Sequence, residues 1–436
     1  MTVESKPSIK LGINGVILLA AIPVSFLADY LFNLTLSGRL TSHEYGDYKV
    51  AYAYAVLASM VILLGGDRVA PKMLSATLDQ GNNRPVWSFV RFYLKTATLL
   101  SVVLIIVTYA GSYLHLFVSG SDQHHPLVLM SFVLPLIAAA ALFSRVLQSG
   151  KFLILSNLPW RVALPLIKTA MIVTIFWLFG SLALWQVIAC GALAVLILVS
   201  WQWFKLRQLA LISVSSAAAK HPTNHRELLK QSLPMMAAVL VTVALNQIDL
   251  FMLEWLAEEH EVGHFGAAAT IAHILPVAQT TIAGLFLPLL GIAVHEGSKQ
   301  SMAVYHQAQK LIFWVLGGLF VVLLALRHTL LGMFGEEYLA ANQALTLLCG
   351  AYAVWGLAAF SSTWLQYVKR GRNVVWIGLT GIGLDAALNL VLIPRYGIDG
   401  AAAATLLTLF SCSVAIWLYQ HHTFKVITHD QDYQQA

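Results

Sequence analysis

Apolar runs of roughly 20 residues, the length of helix that crosses a bilayer, recur along this sequence almost from end to end. They cover 11–36, 48–65, 96–118, 127–147, 162–179 and 182–204. After a polar stretch come 233–256, 266–293, 311–326, 344–368, 374–393 and 400–419. Backbone groups in hydrocarbon must bond to one another, so spanning segments are helices or strands of a closed barrel. Barrel strands would read as short alternating runs, whereas these are long and continuous. The prediction is an all-α integral membrane protein of about twelve transmembrane helices. Composition agrees: 58% of residues are hydrophobic and 11% charged, against roughly 25% charged in a soluble domain. Cys190, Cys349 and Cys412 all fall inside apolar runs, and an odd count argues against a disulfide framework. No Cys/His group has metal-ligand spacing, so no metal or cofactor is expected. Lys6 and Lys10 precede the first run, but it is too long for a signal peptide and no cleavage site follows.

Charge tests the helix number, because loops on the cytoplasmic side are rich in Lys and Arg. With the N-terminus inside, 21 of the 26 basic residues fall on inner segments. Among them are Arg68, Lys72, Arg145, Lys151, Arg161, Lys205, Lys220, Lys310 and Lys369. The outer loops hold Arg39, Lys49, Arg327 and Arg395, and Lys168 falls within a span. One helix more or fewer would invert every later loop. Twelve helices with both termini cytoplasmic follow, and the net charge of +6 needs no nucleic acid to explain it. Most tryptophans sit near run ends, as an interfacial belt does. Trp355 is deeper, where packing is the ordinary role and a substrate platform the alternative.

The polar stretch leaves six helices on each side, so both halves enter the membrane in the same direction and any duplication is parallel. His43-Glu44-Tyr45-Gly46-Asp47-Tyr48 lines up with His260-Glu261-Val262-Gly263-His264-Phe265. Ala51 and Ala55 then match Ala268 and Ala272. Both copies join the first and second helices of their half. The expected organisation is a bundle over 1–204, a basic cytoplasmic linker over 205–232, a second bundle over 233–419 and a cytoplasmic tail over 420–436.

Several segments resemble the polysaccharide-type flippases of the multidrug/oligosaccharidyl-lipid/polysaccharide exporter superfamily. They are Gly38-Arg39-Leu40, Glu44-Tyr45-Gly46 and Gly65-Gly66-Asp67-Arg68 in the first half, then Ile248-Asp249 and Val262-Gly263-His264-Phe265. Phe334-Gly335-Glu336-Glu337-Tyr338, Asn389, Ile393-Pro394-Arg395-Tyr396-Gly397 and Gly400-Ala401-Ala402 complete the set. The resemblance implies two six-helix bundles around a central cavity. It also implies export of a lipid-linked oligosaccharide across a bacterial cytoplasmic membrane, for surface polysaccharide or lipopolysaccharide synthesis. The partners implied are membrane lipids, a polysaccharide polymerase and chain-length machinery. Lipid II flippases of that superfamily usually carry two further helices, which are not seen here.

Ionisable groups inside a bilayer are costly and are functional candidates by default. Asp29, Lys168, Asp249 and Asp385 stand out. Asp29, by analogy with related multidrug exporters, suggests cation coupling, and an outer-interface carboxylate is the other reading. Asn246 and Asp249, three apart, share a face of the seventh helix, as a cavity or coupling site or an interhelical hydrogen bond. Arg161 and Lys168, seven apart, share a face of the fifth helix. With Arg145 they form a cationic entrance for a diphosphate, or, for the two arginines, ordinary inner-side anchors. Asp385 and Asn389, four apart, face a cavity or pack. The expected substrate-binding set is Arg145, Arg161, Lys168, Asn246, Asp249, Asp385 and Asn389, with Asp29 and Asp249 coupling ions.

Three rival functions fit the sequence less well. An enzyme would need a folded loop or an acidic pair, and the outer loops are short. A major-facilitator transporter matches Gly66-Asp67-Arg68 but departs at Val69-Ala70-Pro71-Lys72. A cation-coupled multidrug exporter of the same superfamily would share the fold, but the terminal junction motifs and the basic groups near the fifth helix favour an anionic lipid-linked substrate over a cationic drug.

Overall fold

A computed structural model describes residues 13–80, 83–114, 125–213, 225–368 and 370–435. Lys6, Lys10, Lys220 and Lys369 of the basic loops lie outside the described residues. Every described regular element is helical. The first half contains α1 (Ile13–Ser37), α2 (Ser42–Ile62), α3 (Gly66–Asp79), α4 (Arg84–Tyr113), α5 (Pro126–Ser149), α6 (Leu153–Leu158), α7 (Leu164–Phe179) and α8 (Leu184–Gln208). A π turn over Pro159–Ala163 joins α6 to α7. The second half contains α9 (His225–Leu245), α10 (Ile248–Leu256), α11 (Glu259–Ala272), α12 (Ile274–Glu296), α13 (Ser298–Gly332), α14 (Asn342–Tyr367) and α15 (Gly371–Gln435). A 3₁₀ turn over Glu336–Ala341 precedes α14.

Ten helical stretches are long and apolar enough to cross a membrane, and α2 with α3, bent by 48°, makes an eleventh. The last stretch holds two spans. As one rod, the 65 residues of α15 would reach ~98 Å at 1.5 Å per residue. Yet the Cys412 thiol lies 3.7 Å from the Ile377 carbonyl oxygen, which a straight helix would place ~52 Å away. The chain turns back at Gly397, with φ 53° and ψ −132°. The twelve expected spans are therefore accounted for, with the Pro394–Gly397 motif as the hairpin between the last two.

Only glycine tolerates that turn. A Cβ on Gly397 would overlap the Glu261 carboxylate as well as strain the backbone. Gly397→Ala is expected to cost about 1–3 kcal/mol, read as a lower thermal midpoint of the purified protein. An unchanged midpoint would mean the turn is not held in this geometry.

The two copies of the repeat face one another. Gly263 of α11 lies so close to the Ser42 carbonyl, at the start of α2, that a Cβ would overlap it. Gly266 packs on the Lys49 side chain. Around this seam Tyr45 stands edge-on to Tyr338 at 6.1 Å, Tyr30 to Phe334 at 5.4 Å and His264 to Tyr338 at 5.2 Å. The Tyr30 hydroxyl donates to the Leu330 carbonyl at 2.9 Å. Phe334 and Tyr338 of the Phe-Gly-Glu-Glu-Tyr motif thus dock the second half onto the first and close one end of the molecule.

Lys49 is not in an outer loop. Thr41 and Glu44 form a capping box that starts α2 at Ser42, so Lys49 lies two turns inside the helix. Its ammonium donates to Thr270 Oγ1 at 2.8 Å and Asn33 Oδ1 at 3.3 Å, tying the halves together.

Candidate functional site

From the seam, α2 (21 residues) runs ~30 Å to the bend at 63–65. The bend places Asp67 and Arg68 at the head of α3 on the cavity between the halves. A first chamber of about 400 Å³, within the first half, is lined by Arg68, Arg145, Arg161 and Lys168, with Asp67 the one acidic residue among its lining. Tyr48, Tyr52, Gln148 and Asn157 add polar edges. Arg68 Nε bonds Asp67 Oδ2 at 2.9 Å, which leaves three basic groups with no carboxylate within 4.0 Å among the described residues. Arg145 donates to Gln148 Oε1 at 2.6 Å. Arg161 donates to Thr281 Oγ1 of α12 at 3.3 Å, reaching across to the second half.

Lys168 is buried against aromatic faces. Its ammonium sits 3.8 Å from the centre of the Phe32 ring and 5.7 Å from that of Tyr52, an attraction of ring quadrupole for cation. Asp29 acts electrostatically on both Lys168 and Lys49. On α1 the exposed Val24, Leu27 and Leu31 mark the lipid face, and at 100° per residue Asp29 points roughly 165° away from them. It is exposed toward the interior.

A second chamber of about 780 Å³ adjoins the first through Asp67, Arg68, Arg145 and Gln148, which line both. Its other wall comes from the second half and includes Asn246, Gln279 and Trp355.

A separate buried cluster lies in the second half. Asp249 of α10 is 2% exposed, Asp385 1% and Asn389 0%. Asn389 Nδ2 donates to Asp249 Oδ1 at 2.9 Å and to Asp385 Oδ2 at 3.3 Å. Thr405 donates to Asp249 Oδ2 at 2.7 Å. Asp385 Oδ1 and Asn389 Oδ1 are buried with no hydrogen-bond partner among the described residues. No basic side chain lies within salt-bridge distance of either carboxylate among the described residues, and burying an unpaired carboxylate costs several kcal/mol. The oxygens are those that hold a proton or a hard cation.

The sequence profile of a family described as "Polysaccharide biosynthesis protein" matches residues 11–293, well over half of the 436 residues. The chain belongs to this polysaccharide biosynthesis family. No curated protein matches the chain significantly. Among solved structures, it is similar to an inward-facing multidrug resistance MATE family transporter of the MOP superfamily, at TM-score 0.73 and 12% identity. The match covers 95% of this chain and 99% of that one. A MOP superfamily transporter from Pyrococcus furiosus, described as having a binding pocket of reverse polarity, matches at TM-score 0.70 and 12% identity over 95% of each chain. The lipid II flippase MurJ, in an inward closed conformation, matches at TM-score 0.65 and 15% identity over 93% of this chain and 87% of that one. The fold of this family member is therefore that of the MOP transporters, and it is a multi-pass membrane protein.

Within that fold, Arg145, Arg161 and Lys168 line one chamber. Asn246 and Asp249 do not form one patch. The chain breaks at Asn246–Gln247 between α9 and α10, so Asn246 lines the second chamber while Asp249 turns into the buried cluster. Asp249, Asp385 and Asn389 line neither chamber. Arg68, on the chamber lining, and Thr405, bonded to Asp249, are residues that sequence alone does not single out. Arg68 has the position of an inner anchor, and Thr405 is an ordinary residue of a spanning run. His273, at the break between α11 and α12, lies with its Nε2 3.4 Å from the Tyr352 hydroxyl.

Proposed function

We propose that the chain flips a polyprenyl-diphosphate-linked oligosaccharide from the inner to the outer leaflet of the cytoplasmic membrane, for surface polysaccharide synthesis. The observation that carries this reading is the interior wall of Arg68, Arg145, Arg161 and Lys168 against a single Asp67. Guanidinium groups bind diphosphate oxygens through paired, charge-assisted hydrogen bonds. A cationic drug would meet repulsion in the same chamber, so the family's polysaccharide role is favoured over drug export.

Arg68 and Arg145 line both chambers, Arg161 and Lys168 the first alone, Lys168 against Phe32 and Tyr52, and Lys49 lies at the seam. These groups give the head group successive partners while the polyprenyl tail stays in lipid. The bundles over 1–204 and 233–419 rock about the linker over 205–232, and the Lys49–Thr270 seam parts as the far side opens. Both termini, including the tail over 420–436, face the cytoplasm. Asp249 and Asp385, with Asn389 and Thr405, take up a proton or monovalent cation that drives the cycle, and Asp29 adjusts the charge of the two lysines. The work is transport and needs no catalysis. Polymerase and chain-length proteins are the partners that consume the exported lipid.

In cells lacking the gene, lipid-linked oligosaccharide is expected to accumulate on the inner leaflet and surface glycan to fall. Lys168→Ala should fail to restore export at normal protein level. Unchanged surface glycan with no accumulation in the deletion would sink the proposal, and full complementation by Lys168→Ala would remove that residue from the site.

A further inference from the structure

The second chamber differs from the first in chemistry. Every charged residue on its lining (Asp67, Arg68 and Arg145) comes from the first half. The wall from the second half is neutral, and one face of α14 makes much of it. Trp355, Ala359, Ser362, Thr363 and Gln366 all line the chamber. Their spacing of four, seven, eight and eleven positions from Trp355 puts them on a single helical stripe. The stripe begins with a flat aromatic ring and continues with small or neutral polar side chains.

Trp355 is half-buried, packed against the core on one side while lining the chamber on the other. Gln279 of α12 lies beside it, with its Cγ 3.5 Å from where a Cβ on Gly356 would stand. The Gln279 and Gln366 amides both belong to residues on this lining. An uncharged ligand rich in hydroxyl and amide groups, with one apolar face for the indole, matches these donors and acceptors. The chamber is also the larger of the two, and it opens directly onto Arg68 and Arg145.

We infer that the second chamber is the glycan subsite: neutral sugar rings stack on Trp355 and hydrogen-bond to Gln279 and Gln366, while the diphosphate stays on the basic groups of the first half. This rests on the flippase reading and adds a division of labour. One half reads the charge common to all such lipids, and the other reads the sugars.

The test is direct binding to the purified full-length protein in nanodiscs. Two probes are used: polyprenyl diphosphate bearing no sugar, and the same lipid bearing a neutral N-acetylhexosamine disaccharide. Trp355→Ala is expected to weaken the glycosylated lipid by about tenfold and leave the bare diphosphate lipid within about twofold. Trp355→Phe should keep most of the affinity. Gln279→Ala, which disturbs packing less, should also weaken only the glycosylated lipid. Arg145→Gln should weaken both. Equal losses for the two probes in Trp355→Ala would make the ring structural and overturn the inference, as would unchanged affinity for the glycosylated lipid. Either result leaves the flippase reading standing as long as Arg145→Gln still weakens both probes. A wild-type protein that binds neither lipid would end both.

Discussion

Exchanging Arg145 and Arg161 together for glutamine is expected to lower export of the lipid-linked oligosaccharide by about a hundredfold or more. Each arginine is credited with one charge-assisted contact to the diphosphate, worth ~1.5–3 kcal/mol, and the sum exceeds the ~2.7 kcal/mol of a hundredfold change. Their present contacts are to neutral partners, Gln148 Oε1 and Thr281 Oγ1, so neither charge is spent on a carboxylate. Loss of the charges should therefore leave the thermal midpoint unchanged or raised. The double lysine variant keeps the charge but loses the planar fork that grips two oxygens at once, and should fall between. Export at the wild-type rate in the double glutamine variant would place the diphosphate elsewhere. A collapsed midpoint would show instead that the arginines hold the bundles together.

The second large effect is expected at Asp249. Two carboxylates, 2% and 1% exposed, share the Asn389 amide with no basic partner in reach among the described residues. Asp249→Asn is nearly isosteric and can still accept from Thr405. It removes one buried, uncompensated charge, so the folded protein should be at least as stable. Transport should behave otherwise. Without the carboxylate the site cannot exchange its proton or cation, and export should drop at least tenfold and stop responding to an imposed ion gradient. The comparison is made in vesicles, with the gradient dissipated and restored for each protein. A variant that still accelerates with the gradient would move coupling away from this cluster.

The fold is legible in the sequence wherever the signal is a sum over many residues. Twelve apolar runs become twelve spans, because a run of that length has no other stable use. The half-chain repeat becomes two helices facing each other across the seam at Ser42 and Gly263. What is not legible depends on where helices bend. The apolar run suggests a start near Tyr48, which makes Lys49 look like a loop residue. The capping pair Thr41 and Glu44, a readable signal, places the start correctly. The bend after Ile62 turns Arg68 from an anchor into a cavity residue, and the break at Asn246–Gln247 separates two residues that a continuous helix would put side by side. Thr405 joins Asp249 only because the α15 hairpin folds back, a contact between residues 156 positions apart that no local pattern announces. Lys168 stands out in the sequence itself, because a lysine that deep in a span is costly.

Movement of an anionic lipid-linked sugar between leaflets can be followed in a reconstituted system. The purified protein is placed in vesicles with a fluorescent polyprenyl-diphosphate oligosaccharide, and the fraction of label reachable by an impermeant quencher is followed in time. Protein-dependent equilibration of the label between leaflets is expected, abolished by the Arg145 and Arg161 double glutamine exchange and accelerated by an ion gradient. Label that stays in its starting leaflet whether or not the protein is present, in vesicles where the protein is folded, would contradict the proposed function.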